Sequence, residues 1–211
     1  MTEQIFIQGA AGAIEIFEDR PEHIKAIAVV THPHPLMGGN PQHKIPQLIA
    51  DILVQKGCLV WRPSFRGMGQ SAGEHDQGHG ESIDIAHISQ VLQKCYPDLP
   101  FYGGGFSFGS HVWAKAYHLL EATQRPKQLV LAGLPCGFVR GAVNYQTPEI
   151  DDDIFLIHGE QDDITPLSDT INWAKPQRHP ITIMPGANHF FTGYLKPLRM
   201  VIERYYLIES N

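Results

Sequence analysis

Short apolar runs alternate with segments of helical periodicity along most of the chain. The run AIAVVT at residues 26–31 is apolar almost throughout, as expected for a strand that is covered on both faces of a sheet. Between residues 43 and 57, apolar side chains recur every three or four positions and a glycine follows them, which predicts a helix with one buried face.

The same two patterns predict the remaining elements. Further strands are predicted at residues 58–64, 99–105, 126–133, 153–159 and 179–186, and further helices at 81–96, 110–123, 167–175 and 189–210. Pro197 lies inside the last helical segment, where a proline is expected to kink or break the helix. Period-two alternation at residues 4–9 and 12–19 predicts an antiparallel hairpin at one edge of the sheet.

Repeated strand, helix, strand units indicate an α/β fold with a mostly parallel central sheet of about seven or eight strands and helices on both faces. The chain of 211 residues is long enough for one well-buried core, and we expect a single domain spanning residues 1–211. Residues 134–152 are the least regular stretch and are expected to form at most a small flap.

Composition and charge narrow the classes of partner. The net charge is −6, and no run of Lys and Arg stands out, which argues against nucleic acid or an anionic membrane as the main partner. Cys58, Cys95 and Cys136 are far apart and odd in number, so they predict neither a disulfide framework nor a zinc knuckle. The N-terminal residues do not resemble a signal peptide, and no apolar run is long enough for a membrane span. We therefore expect a cytoplasmic protein.

The motif GFSFGS at residues 105–110 places Ser107 between two glycines where a predicted strand changes into a predicted helix. A sharp turn at this point brings backbones close together, so small residues are needed two positions before and after its apex. The pattern is that of a nucleophile elbow, which lifts the serine above the sheet edge. The alternative reading is that Ser107 only caps the helix.

Partners for an activated serine follow later in the chain. A serine hydroxyl needs a positioned histidine, and the histidine needs a carboxylate that fixes its tautomer. Asp162 and Asp163 follow the strand predicted at 153–159, and His189 follows the one predicted at 179–186. The order serine, aspartate, histidine, each after a strand, is the order expected for a catalytic triad on this architecture.

Five motifs together carry a resemblance that covers essentially the whole chain: HPHPLMGGN (32–40), SFRGMGQSAG (64–73), GFSFGS (105–110), HGEQDDITP (158–166) and PGANHFF (185–191). The chain resembles α/β hydrolases, and in particular a small, lid-poor bacterial group of esterases related to the dienelactone hydrolase and acyl-peptidase branches. The resemblance implies an α/β-hydrolase fold with a minimal cap domain or none.

The family pattern also implies roles for individual residues. It places the acid three residues after the glycine of the HG pair and four before the proline, which selects Asp162 and leaves Asp163 as the alternative. Dienelactone hydrolases carry cysteine at the elbow and haloalkane dehalogenases carry aspartate. The serine at this position implies hydrolysis of esters, thioesters or amides.

An oxyanion hole needs two hydrogen-bond donors. One is expected from the backbone N–H of Phe108, which follows the nucleophile. The other is expected from the loop after the strand at 26–31, where Pro33 and Pro35 have no N–H. By similarity to the family, the second donor is His34, with Leu36 as the alternative.

Histidine pairs raise the alternative of a metal site. His32 and His34 share one side of an extended segment, and His75 and His79 lie near acids, so either pair is a possible transition-metal ligand set. The His-Pro-His-Pro segment is better explained as a stiff loop beside the oxyanion hole, and the glycines around the second pair disfavour a helical ligand pair. We expect no metal and no cofactor, and we expect Arg66 to be structural.

The expected activity is hydrolysis of small acyl esters through Ser107, Asp162 and His189, at an open site that takes a small-molecule substrate. Two alternatives remain at this stage. A peptidase, acyl-aminoacyl hydrolase or thioesterase would use the same triad, and a hydrolase-fold binding protein would need none. A homodimer is possible.

Overall fold

The computed structural model describes residues 2–139 and 143–208. This part of the chain contains ten strands: β1 (Thr2–Gly9), β2 (Gly12–Asp19), β3 (Ala26–Thr31), β4 (Cys58–Pro63), β5 (Phe101–Phe106), β6 (Leu129–Ala132), β7 (Gly137–Val139), β8 (Val143–Tyr145), β9 (Phe155–Gly159) and β10 (Ile181–Met184). It also contains five α-helices: α1 (Lys44–Gln55), α2 (His79–Cys95), α3 (Phe108–Tyr117), α4 (Leu167–Gln177) and α5 (Leu195–Tyr205).

The central sheet has eight strands in the order β1-β2-β4-β3-β5-β6-β9-β10. The pairings of β1 with β2 and of β2 with β4 are antiparallel, and all others in the sheet are parallel. The N-terminal hairpin turns between Gly9 and Gly12, which face each other in its register. These findings confirm the mostly parallel sheet and the antiparallel hairpin at its edge.

Helices cover both faces of the sheet, each over its own apolar core. On one face, α1 and α5 pack against side chains such as Val30, Phe106 and Ile157. On the other, α2, α3 and α4 enclose a core that includes Trp61 and Trp113. No helix in the described ranges is both long and apolar enough to cross a membrane.

The last helix begins later than its sequence pattern predicts. It starts at Leu195, so Pro197 lies in its first turn. Backbone N–H groups in a first turn have no partner within the helix, so the proline costs no hydrogen bond there. The predicted kink was wrong for this reason.

The irregular stretch 134–152 contributes the hairpin β7–β8, which stands apart from the central sheet. Residues 140–142 of the expected flap lie outside the described residues. The Tyr145 ring of this hairpin packs 4.9 Å from the ring of His111 and 6.2 Å from that of Phe108, measured between centroids. The described part of the flap therefore rests on the start of α3.

Candidate active site

Ser107 lies at the turn between β5 and α3 with φ +55° and ψ −126°, a conformation that is strained for a residue with a side chain. A Cβ on Gly105 would lie 2.9 Å from backbone atoms of Gly109 and Ser110, and one on Gly109 would lie 2.6 Å from the carbonyl oxygen of His32. Only glycine fits at either position. Within the described chain the Ser107 hydroxyl makes no capping hydrogen bond to α3, so the capping alternative is wrong.

The structure brings the three predicted side chains together at the carboxyl ends of β5, β9 and β10. The Oγ of Ser107 lies 2.9 Å from Nε2 of His189, and Nδ1 of His189 lies 2.7 Å from Oδ2 of Asp162. Because a carboxylate only accepts hydrogen bonds, Nδ1 carries the proton that faces Asp162. Nε2 is then the acceptor for the Ser107 hydroxyl.

Asp162 is the carboxylate that the structure places against His189, whereas Asp163 is exposed. Oδ1 of Asp162 accepts the backbone N–H groups of Ile164 at 3.0 Å and Thr165 at 2.8 Å. Burial alone would raise the pKa of Asp162, but His189 and the Thr165 N–H together hold that pKa below its usual value. The carboxylate therefore stays ionised at neutral pH.

A second histidine lies on the other side of the acid. Nε2 of His158 is 2.7 Å from the carbonyl oxygen of Thr165 and 3.3 Å from Oδ2 of Asp162. The Thr165 hydroxyl in turn donates to Oδ2 of Asp162 at 2.8 Å and lies 3.1 Å from Nδ1 of His189. Burial lowers the pKa of His158 despite its hydrogen bond to Thr165 and the charge of Asp162. Sequence reasoning missed both His158 and Thr165, although they lie within the motif HGEQDDITP.

The loop after β3 uses some of its backbone N–H groups internally. Met37 and Gly39 donate to the carbonyl oxygen of His34 at 3.1 and 3.0 Å, and Gly38 donates to that of Pro35 at 3.1 Å. By contrast, the N–H groups of Phe108, His34 and Leu36 have no protein acceptor among the described residues. The N–H groups of the three predicted donors are therefore not used by protein acceptors in this part of the structure.

A cavity of about 70 Å³ opens beside Ser107 and His189. Its other lining residues are Pro33, His34, Met37, Gly38, Gly39, His43, Ile164 and Phe190. His34 lines this cavity and Leu36 does not appear among its walls, which favours His34 as the second donor. A larger cavity of about 590 Å³ lies at the opposite end of the sheet, near the first residues of β3, β5 and β6. Ligands of α/β sheets bind at the carboxyl ends of the strands, so the smaller cavity is the candidate site.

Comparison with known proteins identifies the family. No family model matches the chain. A solved structure from Coxiella burnetii, described as an α/β serine hydrolase homologue, is 30% identical to this chain, covers 98% of it and 99% of its own length, and has a TM-score of 0.84. The chain belongs to the α/β-hydrolase superfamily.

Two further proteins are similar to this chain over nearly its whole length. An α/β serine hydrolase without a lid from Xanthomonas campestris is 26% identical over 100% of this chain and 97% of its own, with a TM-score of 0.86. A protein of Rickettsia prowazekii described as uncharacterized is 30% identical and matches 99% of this chain and 90% of its own. The α/β hydrolase described here is similar to relatives of its own size.

One histidine of each pair in this hydrolase has hydrogen-bond partners in the protein. His32 is buried, its Nε2 accepts the backbone N–H of Phe65 at 3.1 Å, and its Nδ1 lies 2.7 Å from the carbonyl oxygen of Pro33. The Nδ1 of His79 lies 3.0 Å from Nζ of Lys115. The described residues contain no group of three or more His, Cys, Asp or Glu placed to hold a metal ion.

Arg66 of this hydrolase makes a bidentate ion pair with Asp84 on α2, with N···O distances of 2.8 and 2.9 Å. The guanidinium also fills the space where a side chain on Gly80 would lie. Arg66 thus fastens the loop after β4 to the start of α2, in agreement with the structural role expected for it.

Proposed function

We propose that this α/β hydrolase is a serine esterase that cleaves small acyl esters through Ser107, His189 and Asp162. The observation that carries the proposal is the continuous chain of hydrogen bonds from Ser107 through His189 to Asp162, at the edge of a cavity. The arrangement is that of a nucleophile, a general base and an acid that orients the base.

In the proposed mechanism, His189 Nε2 takes the Ser107 proton as Oγ attacks the acyl carbonyl carbon. The tetrahedral intermediate then breaks its bond to the leaving oxygen, which departs as an alcohol with the proton from His189. Water attacks the acyl-enzyme with His189 again acting as base, and the products are a carboxylic acid and free Ser107. Asp162 stabilises the imidazolium at each step, and no cofactor takes part.

The proposed oxyanion hole consists of the backbone N–H groups of Phe108 and His34, with Leu36 as the alternative to His34. Phe108 is the first residue of α3, so its N–H also lies at the positive end of the helix dipole. Loss of one such donor typically costs roughly 3–4 kcal/mol of transition-state stabilisation.

The lining of the cavity disfavours substrates that carry a free amine. An aminopeptidase or acyl-aminoacyl hydrolase needs a group that binds the substrate amine or its neighbouring peptide. None of the described residues that line the cavity is an Asp or a Glu, so a substrate ammonium has no counter-charge there. The free thiols of Cys58, Cys95 and Cys136 fit the cytoplasmic location that we also propose.

The proposal is tested by p-nitrophenyl acetate hydrolysis in wild type, Ser107→Ala and the matched control Ser110→Ala. Ser110 is buried and donates to the carbonyl oxygen of Ala132, which also accepts the backbone N–H of Ser107. Removal of the Ser110 hydroxyl therefore leaves that oxygen bonded and the nucleophile in place. We expect turnover in wild type and Ser110→Ala and none above background in Ser107→Ala. Equal turnover in all three proteins would reject the proposal.

A further inference from the structure

The cavity beside Ser107 is small. A cavity of about 150 Å³ accommodates benzene, which has six heavy atoms. By proportion, the cavity of about 70 Å³ at this site holds roughly three heavy atoms. This is the size of an acetyl group.

The walls of the cavity are made of packed groups. The His43 ring stacks on the buried Phe106 ring at 5.4 Å with an interplanar angle of 15°, and it lies 6.0 Å from the ring of Phe190. Across the site, the ring of His34 packs 5.0 Å from that of Phe108. A longer acyl chain that stays inside the cavity would have to displace one of these packed rings, which costs free energy.

The described lining also carries no permanent charge. Its ionisable groups are His34, His43 and His189. Burial is the main cause that lowers the pKa of both His34 and His43; His75 adds to the effect on His34, and Lys44 and His189 add to that on His43. At neutral pH both flanking imidazoles are therefore uncharged. Such a cavity selects a neutral acyl group over one that bears a carboxylate or an ammonium.

The mouth of the cavity is apolar and exposed. Met37 and Phe190 line the cavity and have 65% and 39% of their surface in solvent. Large apolar side chains that cluster beside a reactive group mark a binding surface. We name these two residues the apolar rim.

The leaving group reaches the apolar rim on the side of His189. His189 must give its proton to the leaving oxygen, so that oxygen departs next to the imidazole. The ring of Phe190 lies 5.1 Å from the ring of His189 in an edge-on arrangement. An apolar alcohol or phenol would therefore pack on Phe190 as its oxygen receives the proton.

We infer that the preferred substrates are esters of an acetyl-sized, neutral acid with an apolar alcohol or phenol. The inference rests on the proposed esterase activity and specifies it further. The acyl carbon–oxygen bond breaks, Ser107 carries the acetyl group, and water releases it, so that one ester and one water give acetic acid and the apolar alcohol.

Two ester series test the inference on the wild-type enzyme. The first keeps p-nitrophenol and lengthens the acid from acetate to butyrate to octanoate. The second keeps acetate and compares hexyl, methyl and 2-trimethylammonioethyl alcohols by acid release. We expect kcat/KM to fall at least about 10-fold from acetate to butyrate, because butyrate has two more methylenes and one misfitting methylene alone is worth about 10-fold or more. We expect kcat/KM for hexyl acetate to exceed kcat/KM for the charged ester by a similar factor.

Two variants assign the effects to residues. Ile164→Ala enlarges the cavity and should raise the ratio of butyrate to acetate turnover. Phe190→Ser should raise KM for hexyl acetate by a larger factor than KM for methyl acetate. Leu119→Ser is the matched control, since Leu119 is an exposed leucine just beyond α3, and it should change neither ester series.

Failure of the inference and failure of the proposed function give different results. Turnover that depends on Ser107 supports the esterase proposal. If kcat/KM is then equal for the octanoate and acetate esters, or for the charged and hexyl esters, the inference is wrong and the esterase proposal stands. Equal KM changes for hexyl and methyl acetate in Phe190→Ser would also contradict it. If wild type cleaves none of the esters, or Ser107→Ala cleaves them as well, both are wrong.

Discussion

His158 donates a hydrogen bond from Nε2 to the carbonyl oxygen of Thr165 at 2.7 Å. Thr165 holds Asp162 with both its backbone N–H and its hydroxyl. His158 therefore fixes the turn that presents the carboxylate to His189, without contacting the site of attack itself.

His158→Leu should lower kcat for p-nitrophenyl acetate about 10-fold or more and leave KM nearly unchanged, because the buried Thr165 carbonyl loses its donor and the turn shifts. His158→Gln should recover much of the loss, since its amide N–H can replace Nε2–H. The unpaired carbonyl in the leucine variant should also cost roughly 1–3 kcal/mol of unfolding free energy. Equal kcat in the leucine and glutamine variants, measured with matched stability, would contradict a positioning role.

Asp162→Asn should lower kcat by a factor on the order of 10³–10⁴, because an amide no longer favours the His189 tautomer and imidazolium that the reaction needs. Asp163→Asn is the matched control at the exposed neighbouring position and should retain activity. Steady-state kinetics of both variants checks this assignment. A larger loss of kcat in Asp163→Asn than in Asp162→Asn would assign the role of the acid to Asp163.

The lowered pKa of Asp162 predicts that the free energy of unfolding decreases at acid pH. Its contacts lower the pKa of Asp162 in the folded protein, so the folded state holds a proton less readily than the unfolded chain, whose aspartates have a pKa of about 3.9. The resulting stability is present above the unfolded pKa and is lost as pH falls through the lowered folded pKa. Urea unfolding from about pH 5 to pH 2 should show a steeper loss for wild type than for Asp162→Asn. Parallel curves would contradict the lowered pKa.

His34→Pro tests the second oxyanion donor. The φ of His34 is −56°, which a proline ring accommodates, so the substitution removes the backbone N–H along with the imidazole. His34→Ala removes the imidazole alone. We expect kcat to be roughly 10²–10³-fold lower in the proline variant than in the alanine variant. Equal kcat values in the two would assign the donor to Leu36 instead.

Much of this architecture follows from local patterns in the sequence. The strand at 26–31 and the helix at 44–55 are where apolar periodicity predicts them. A strand that is buried on both faces is apolar throughout, whereas a helix that is buried on one face is apolar at every third or fourth position. The positions of Ser107, Asp162 and His189 after their strands follow from strand-to-loop order, since parallel strands end at one edge of the sheet.

Other features depend on contacts between distant segments and could not be predicted. The hairpin β7–β8 has three-residue strands without clear alternation, and it is held by Tyr145 packing on His111. The place of His43 in the wall of the cavity depends on its stacking with Phe106, 63 residues away along the chain. The link from His158 to Thr165 depends on the fold of the turn between them.

The most direct test of the central claim is to map the residue that a fluorophosphonate ester modifies. Wild type, Ser107→Ala and Ser110→Ala would be treated at neutral pH, digested and analysed by tandem mass spectrometry. We expect one adduct on Ser107 in wild type and in Ser110→Ala, and none in Ser107→Ala. A folded wild-type protein that forms no adduct, or forms it on another residue, would contradict the claim that Ser107 is an activated nucleophile.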